Sequence, residues 1–274
     1  MAHIIGELNV RCILTLMATV SMTSLSTGHD TWVQTNTNLI RTGDAVHVDF
    51  MLGNHGNDHR DFKLASKIDP TWGTLAVLAP DGKTFDVKDR LVDLGYAPKE
   101  GFHSVKFAAV KPGLYTIAHA MDRVVNHGKP VRSIRSAKAY FVASPSLDKI
   151  KETGTGFDKP LGHVLELVPE ANPVLPMGPG TPVKLKVLLR GKPLAGVKVS
   201  FIPRGEILAE GFDKTYERLT DEQGRANFTP KTGNYYLIVV HHKEAAPEKA
   251  DYDSISYAAT LSLFVPDTCP CCEE

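Results

Sequence analysis

Ten histidines lie beyond residue 28, and most of them precede residue 130. His29 carries the most chemistry if the chain is cut just before it. A residue that begins a chain offers an α-amine and a ring nitrogen, and both can grip one ion. Their ordinary pKa values are about 7.7–8.0 and about 6.5. Both can therefore give up a proton near neutral pH when a metal competes. A third nitrogen from another imidazole would complete a T-shaped or square site, which suits Cu(II) or Ni(II). A solvated terminal histidine is the plainer alternative.

The other candidates divide by setting. His55 and His59 fall in Leu52-Gly53-Asn54-His55-Gly56-Asn57-Asp58-His59-Arg60-Asp61. Four-residue spacing can bring two rings to one ion, and Asp58 or Asp61 could hold a ring N–H. A polar surface loop explains the same composition. His127, in Asn126-His127-Gly128, is a loop residue that could approach His29. His119 sits on an expected strand with Ile117 and Met121 on its face, as a ligand or as a satisfied core histidine. His47 shares a strand face with Asp49, as a partner or as the solvent face. The candidate ligand set is thus His29, His55, His59, His127, His119 and His47. The adjacent pair His241-His242 must point to opposite faces of a strand and reads as structural or incidental.

Those side chains need a scaffold, and the pattern is that of β-structure. Ala45-Val46-His47-Val48-Asp49-Phe50-Met51-Leu52 alternates with Val46, Val48 and Phe50 on one face. Leu75–Leu78 runs into Ala79-Pro80-Asp81-Gly82-Lys83, a turn, and then Thr84–Val87. Further strands are expected at 103–110, 114–120 and 137–143. In the second half they are expected at 163–168, 183–190, 197–203, 225–229, 235–242 and 257–265. The run from Pro169 to Pro182 is too proline-rich for a strand interior and reads as a crossing loop. The expectation is an all-β chain of two antiparallel β-sandwich domains, Ig-like or transthyretin-like. They span residues 29–145 and 161–266, with a linker at 146–160.

The first 28 residues read as a cleaved signal peptide. Arg11 precedes an apolar run, Cys12 to Val20. That is shorter than the about 20 residues a membrane span needs but within the about 7–15 of a signal core. Ser26-Thr27-Gly28 supplies small residues for a cut that makes His29 the first residue. The mature chain is then expected to be periplasmic or secreted and not membrane-spanning. Residues 267–274 read as a tail bearing Cys269, Cys271 and Cys272. Three clustered cysteines cannot staple a fold distributed over two domains. Thiolates there could hold Cu(I) or Zn(II), or pair with one another.

Lys+Arg 31 balances Asp+Glu 31, so the net charge is zero. A nucleic-acid partner would call for a basic surface. The 42% hydrophobic content excludes a disordered chain. No Gly-rich phosphate loop, nucleophile elbow or helix-borne histidine pair is present, so the chain reads as non-enzymatic, with no organic cofactor.

Three segments together carry a resemblance. They are His29-Asp30-Thr31-Trp32-Val33; Leu161-Gly162-His163-Val164-Leu165-Glu166-Leu167-Val168-Pro169 with Gly191-Lys192-Pro193-Leu194-Ala195-Gly196; and Thr220-Asp221-Glu222-Gln223-Gly224-Arg225. The chain resembles a large family of exported bacterial proteins of unknown function associated with periplasmic nickel and cobalt uptake. Its second half also resembles carboxypeptidase-regulatory and transthyretin-like modules. Read from the residues alone, the second-half motifs are turns that feed strands. The resemblance implies an exported accessory protein that binds or delivers nickel, cobalt or copper to membrane uptake components. The alternatives are a structural or adhesive β-module without metal, and a copper oxidoreductase built on the N-terminal histidine.

Overall fold

The structure, a computed structural model, describes residues 29–53, 69–95, 101–126, 128–148, 150 and 154–267. The expected leader, His55, His59, His127 and the cysteine tail lie outside the described residues.

The first half forms β1 (Asp30–Thr35), β2 (Leu39–Arg41), β3 (Ala45–Gly53), β4 (Gly73–Leu78), β5 (Thr84–Asp86), β6 (Val92–Asp93), β7 (His103–Ala108), β8 (Gly113–Asn126) and β9 (Pro130–Ser144). The second half forms β10 (Leu165–Pro169), β11 (Val183–Leu189), β12 (Lys192–Pro193), β13 (Lys198–Pro203), β14 (Glu217–Leu219), β15 (Arg225–Phe228), β16 (Asn234–Ala245) and β17 (Ser254–Val265). The chain is all-β, as the alternation predicts. Pro169 closes β10, and the next strand begins only at Val183. The Asp81-Gly82 turn joins β4 to β5, with Gly82 at φ 83°.

Three sheets share the strands. A first sheet runs β1-β3-β7-β6. A second holds β10, β11, β12 and β15. The central sheet has nine strands and draws on both halves, in the order β14-β13-β16-β17-β9-β8-β4-β5 with β2 beside β9. The halves meet where β17 pairs with β9 in parallel, from Ser254 opposite Val131 to Leu261 opposite Lys138. Most other ladders are antiparallel, so this seam makes one continuous sheet from two sandwich-like units.

Alternation distributes the core over both faces of that sheet. On one face, Ala137, Ala139 and Phe141 of β9 pack with Val33, Phe50 and Val105 of the first sheet. On the other, Tyr140 and Val142 of the same strand pack with Leu165, Leu167 and Leu185 of the second. The first sheet's outer face is not left to solvent. Trp32 and Met51 pack there with Leu237 and Val239 of β16. The central sheet therefore curls around β1, meeting one of its faces with β9 and the other with β16. That is why all six residues of β1 are buried although four of them, Asp30, Thr31, Gln34 and Thr35, are polar.

Candidate metal site between the first and central sheets

The first sheet meets the central sheet on two faces, and these differ in chemistry. Its outer face carries a polar seam. Asp30 Oδ1 lies 2.8 Å from His241 Nε2 and 3.5 Å from Arg135 Nη1. Arg204 donates to Gln34 at 3.0 Å, and Ser104 donates to Asp49 at 2.7 Å. Burial raises the Asp49 carboxyl above its usual range, and the Ser104 and Gln34 hydrogen bonds oppose that rise. Burial works against charge on His241, but the Asp30 carboxylate carries its pKa above the ordinary value. Of the two readings of His241, the structural one holds, because it ties β16 to the start of β1.

The inner face holds the more unusual group. His119, on β8, is 3% exposed. Its Nδ1 lies 2.7 Å from the Thr74 carbonyl oxygen. A carbonyl only accepts, so Nδ1 carries the hydrogen. Burial drives the ring's pKa down to about 4, so the ring is neutral at pH 7 and Nε2 is left as a bare lone pair. That nitrogen is buried and has no hydrogen-bond partner among the described residues. An imidazole held by Nδ1–H on a backbone carbonyl, with Nε2 free, is the usual posture of a metal-ligating histidine.

Local structure fixes the ring. Phe50 of β3 packs on it, with ring centroids 4.5 Å apart. Gly73, next to Thr74, leaves the room on the other side. A Cβ on Gly73 would stand 2.4 Å from the Ala120 carbonyl oxygen and 3.0 Å from His119 Cε1. Glycine is required there by close approach, not by backbone angle. The preceding turn, Pro70–Trp72, is capped by Asp69, whose Oδ1 accepts from the Thr71 N–H at 2.9 Å.

The expected ligands are sorted by this geometry. His29 is half-buried and directly precedes β1. Alternation puts it on the face that carries Thr31 and Val33, opposite the one on which Asp30 meets His241. It shares the parity of the first sheet's inner face. His47 does not. It is exposed on β3 and lies on the outer face with Asp49, away from Phe50 and His119. Its backbone N–H donates to Asn36 Oδ1. The expectation that Asp49 is solvent-facing is also corrected, since the second half covers it to 8% exposure. His103 was missed. It is 8% exposed, and its Nδ1 is buried without a partner. Its signal was present, because His103 shares the parity of apolar Val105 and Phe107. Among the described residues, no group of three or more His, Cys, Asp or Glu gathers as a metal-holding cluster. Nor is any helix there long and apolar enough to cross a membrane.

The second-half motifs are scaffold. The Glu166 carboxylate accepts from the backbone N–H groups of Leu161, Gly162 and His163 at 2.6–3.1 Å and pairs with Lys138. Asp221 Oδ1 accepts from the Gln223 and Arg225 N–H groups, which shapes the turn before β15.

The neutral His119 ring has a consequence for stability. An unfolded histidine binds its proton near its ordinary value of about 6.5, and the folded one only near about 4. Between those values the unfolded state holds more protons, so stability falls as pH drops. The loss reaches on the order of 3 kcal/mol. His163, half-buried and likewise pushed down by burial, acts in the same direction. His241 acts oppositely, since a raised value gives stability that is lost as pH rises through it. Urea unfolding across this window should show a steep acid decline that His119→Gln flattens. An unchanged slope would refute the neutral buried ring.

Comparison with known proteins adds limited detail. Trypsin-activated alpha-2-macroglobulin from Escherichia coli matches 88% of this chain at 14% identity and a TM-score of 0.23. The chain spans only 16% of that protein's length. The human OSCAR ligand-binding domain matches 87% of this chain and 100% of its own, at 16% identity and a TM-score of 0.19. The Yersinia pseudotuberculosis adhesin InvE matches 85% of this chain and 58% of its own, at 14% identity and a TM-score of 0.19. At these scores no functional argument rests on them. No curated protein matches the sequence. A family profile does match, over residues 26–244, and the chain belongs to that family, described as a domain of unknown function, DUF4198.

Proposed function

We propose that this is an exported metal-binding accessory protein that binds or delivers nickel, cobalt or copper for uptake. The observation that carries the reading is the bare, buried Nε2 of His119, held in one tautomer by Thr74. Leaving such a group unpaired costs about 1–3 kcal/mol, a cost that a bound cation removes. His29 supplies the other donors if the chain is cut after Gly28. Its α-amine and ring nitrogen join His119 Nε2 as three nitrogens from two residues. A three-residue cluster is therefore not needed. Such a nitrogen set suits Cu(II) or Ni(II) over hard cations. The chain's own residues bind and orient the ion, and the surrounding apolar layer keeps water away. Delivery implies membrane uptake components as partners.

The test compares the chain beginning at His29 with one carrying a single extra residue ahead of it. Isothermal titration with Cu(II) and with Ni(II) should show tight one-to-one binding by the first. The second should bind at least about 100-fold more weakly, since loss of even an outer-shell partner costs 10–100-fold. Equal affinities would remove the amine from the site. Absence of binding by both would leave a β-module without metal.

A further inference from the structure

The start of β1 is held from several sides at once. Asp30 is 8% exposed. Its carboxylate accepts from His241 Nε2 of β16 at 2.8 Å and faces Arg135 Nη1 of β9 at 3.5 Å. Thr260 Oγ1 of β17 donates to the Thr31 carbonyl at 2.9 Å. Across the β1–β3 ladder, Asp30 stands opposite Gly53. Strands of both halves thus converge on the backbone at residues 30 and 31. His29 is joined to that fixed point by one planar peptide, so only its own torsions remain to turn.

Further along β1 the contacts change character. Trp32 packs with Met51, Leu237 and Val239. Apolar packing is non-directional and sets a strand only loosely along its own axis. Charge-assisted hydrogen bonds are short and directional, so they fix a position. A largely buried ion pair adds little stability over apolar residues of similar size. Stability alone therefore does not account for polar groups here, and they occupy the end of β1 that adjoins His29.

We propose that Asp30, His241 and Arg135 form a clamp that positions His29, so that its amine and ring are presented as a prearranged chelate. The proposal rests on the reading of His29 as a metal ligand. The clamp residues touch no ion, and they act through the peptide that joins Asp30 to His29. The clamp also holds the Asp30 carboxylate on the face opposite His29. That keeps a hard oxygen donor out of the set and leaves a nitrogen chelate suited to Cu(II) or Ni(II).

The experiment uses the chain beginning at His29, with Cu(II) followed by isothermal titration and by electron paramagnetic resonance. The unsubstituted chain should give one Cu(II) spectrum. His241→Leu removes the bond to Asp30. It should weaken Cu(II) by about 10–100-fold, the usual effect of losing an outer-shell partner, and split the spectrum into more than one species. His241→Gln places an N–H near the former Nε2 position and should restore both affinity and the single spectrum. Asp30→Asn loosens the clamp from its other side and should act as His241→Leu does, which decides the matter if His241→Leu fails to fold. A role confined to folding would lower thermal stability while leaving spectrum and affinity unchanged. That result in the folded variants overturns the clamp and leaves the proposed function standing. If the unsubstituted chain binds no Cu(II), both readings fall.

Discussion

Replacing Glu166 by leucine is expected to destabilise the protein by about 5 kcal/mol or more, enough to unfold a domain of ordinary stability. The Glu166 side chain is 2% exposed, as is that of its partner Lys138. Removing the carboxylate strands a buried ammonium, which alone costs about 3–5 kcal/mol. It also releases the N–H groups of Leu161, Gly162 and His163, each a charge-assisted bond worth about 1.5–3 kcal/mol. Lys138→Met should cost less, on the order of 3 kcal/mol, because the remaining carboxylate keeps those three donors. The ordering is the point of the experiment. Lys138 reaches from β9 of the central sheet to the start of the second sheet, where it also donates to the Leu167 carbonyl. Glu166 fixes the loop that enters β10. Urea denaturation of both variants checks this, and a Lys138→Met loss equal to that of Glu166→Leu would show that the ion pair, not the loop, dominates.

That pair also shows where sequence reasoning stops. Alternation located Val46, Val48 and Phe50 correctly because apolar parity is local information. It located the core of β9 at 137–143 but not its extension back to Pro130. The added stretch, Ser133-Ile134-Arg135-Ser136, reads as polar. Its polar groups are matched by partners distant in sequence: Arg135 by Asp30, Ser136 by the Leu165 carbonyl. β1 was unrecognised for the same reason, since a strand buried on both faces by two different strands has no alternation to display. The parallel pairing of β9 with β17 is invisible to periodicity, which gives each strand its faces but not its neighbour. His119 was legible as a residue on a strand face with Ile117. The state of its Nε2 was not, because that depends on Thr74, forty-five residues away, supplying a carbonyl and nothing supplying a donor.

His119 should therefore separate stability from binding in a way a structural core histidine would not. Substituting it by leucine removes a bare lone pair from the interface and breaks one hydrogen bond to Thr74. The first change gains about 1–3 kcal/mol and the second loses about 0.5–1.5 kcal/mol. Without metal, the variant should match or exceed the unsubstituted protein in stability. With metal the order reverses. A ligand that binds only the folded state adds about 2.7 kcal/mol at a hundredfold excess over its dissociation constant. The chain beginning at His29 should show that gain with Cu(II), and His119→Leu should show little of it. Thermal unfolding with and without Cu(II), run on both proteins, tests the crossing. A variant that is several kcal/mol less stable without metal would mark His119 as a packing residue. A variant that keeps the full copper-dependent gain would take Nε2 out of the site. Stability traded for an unpaired lone pair is the behaviour expected of a ligand awaiting its ion.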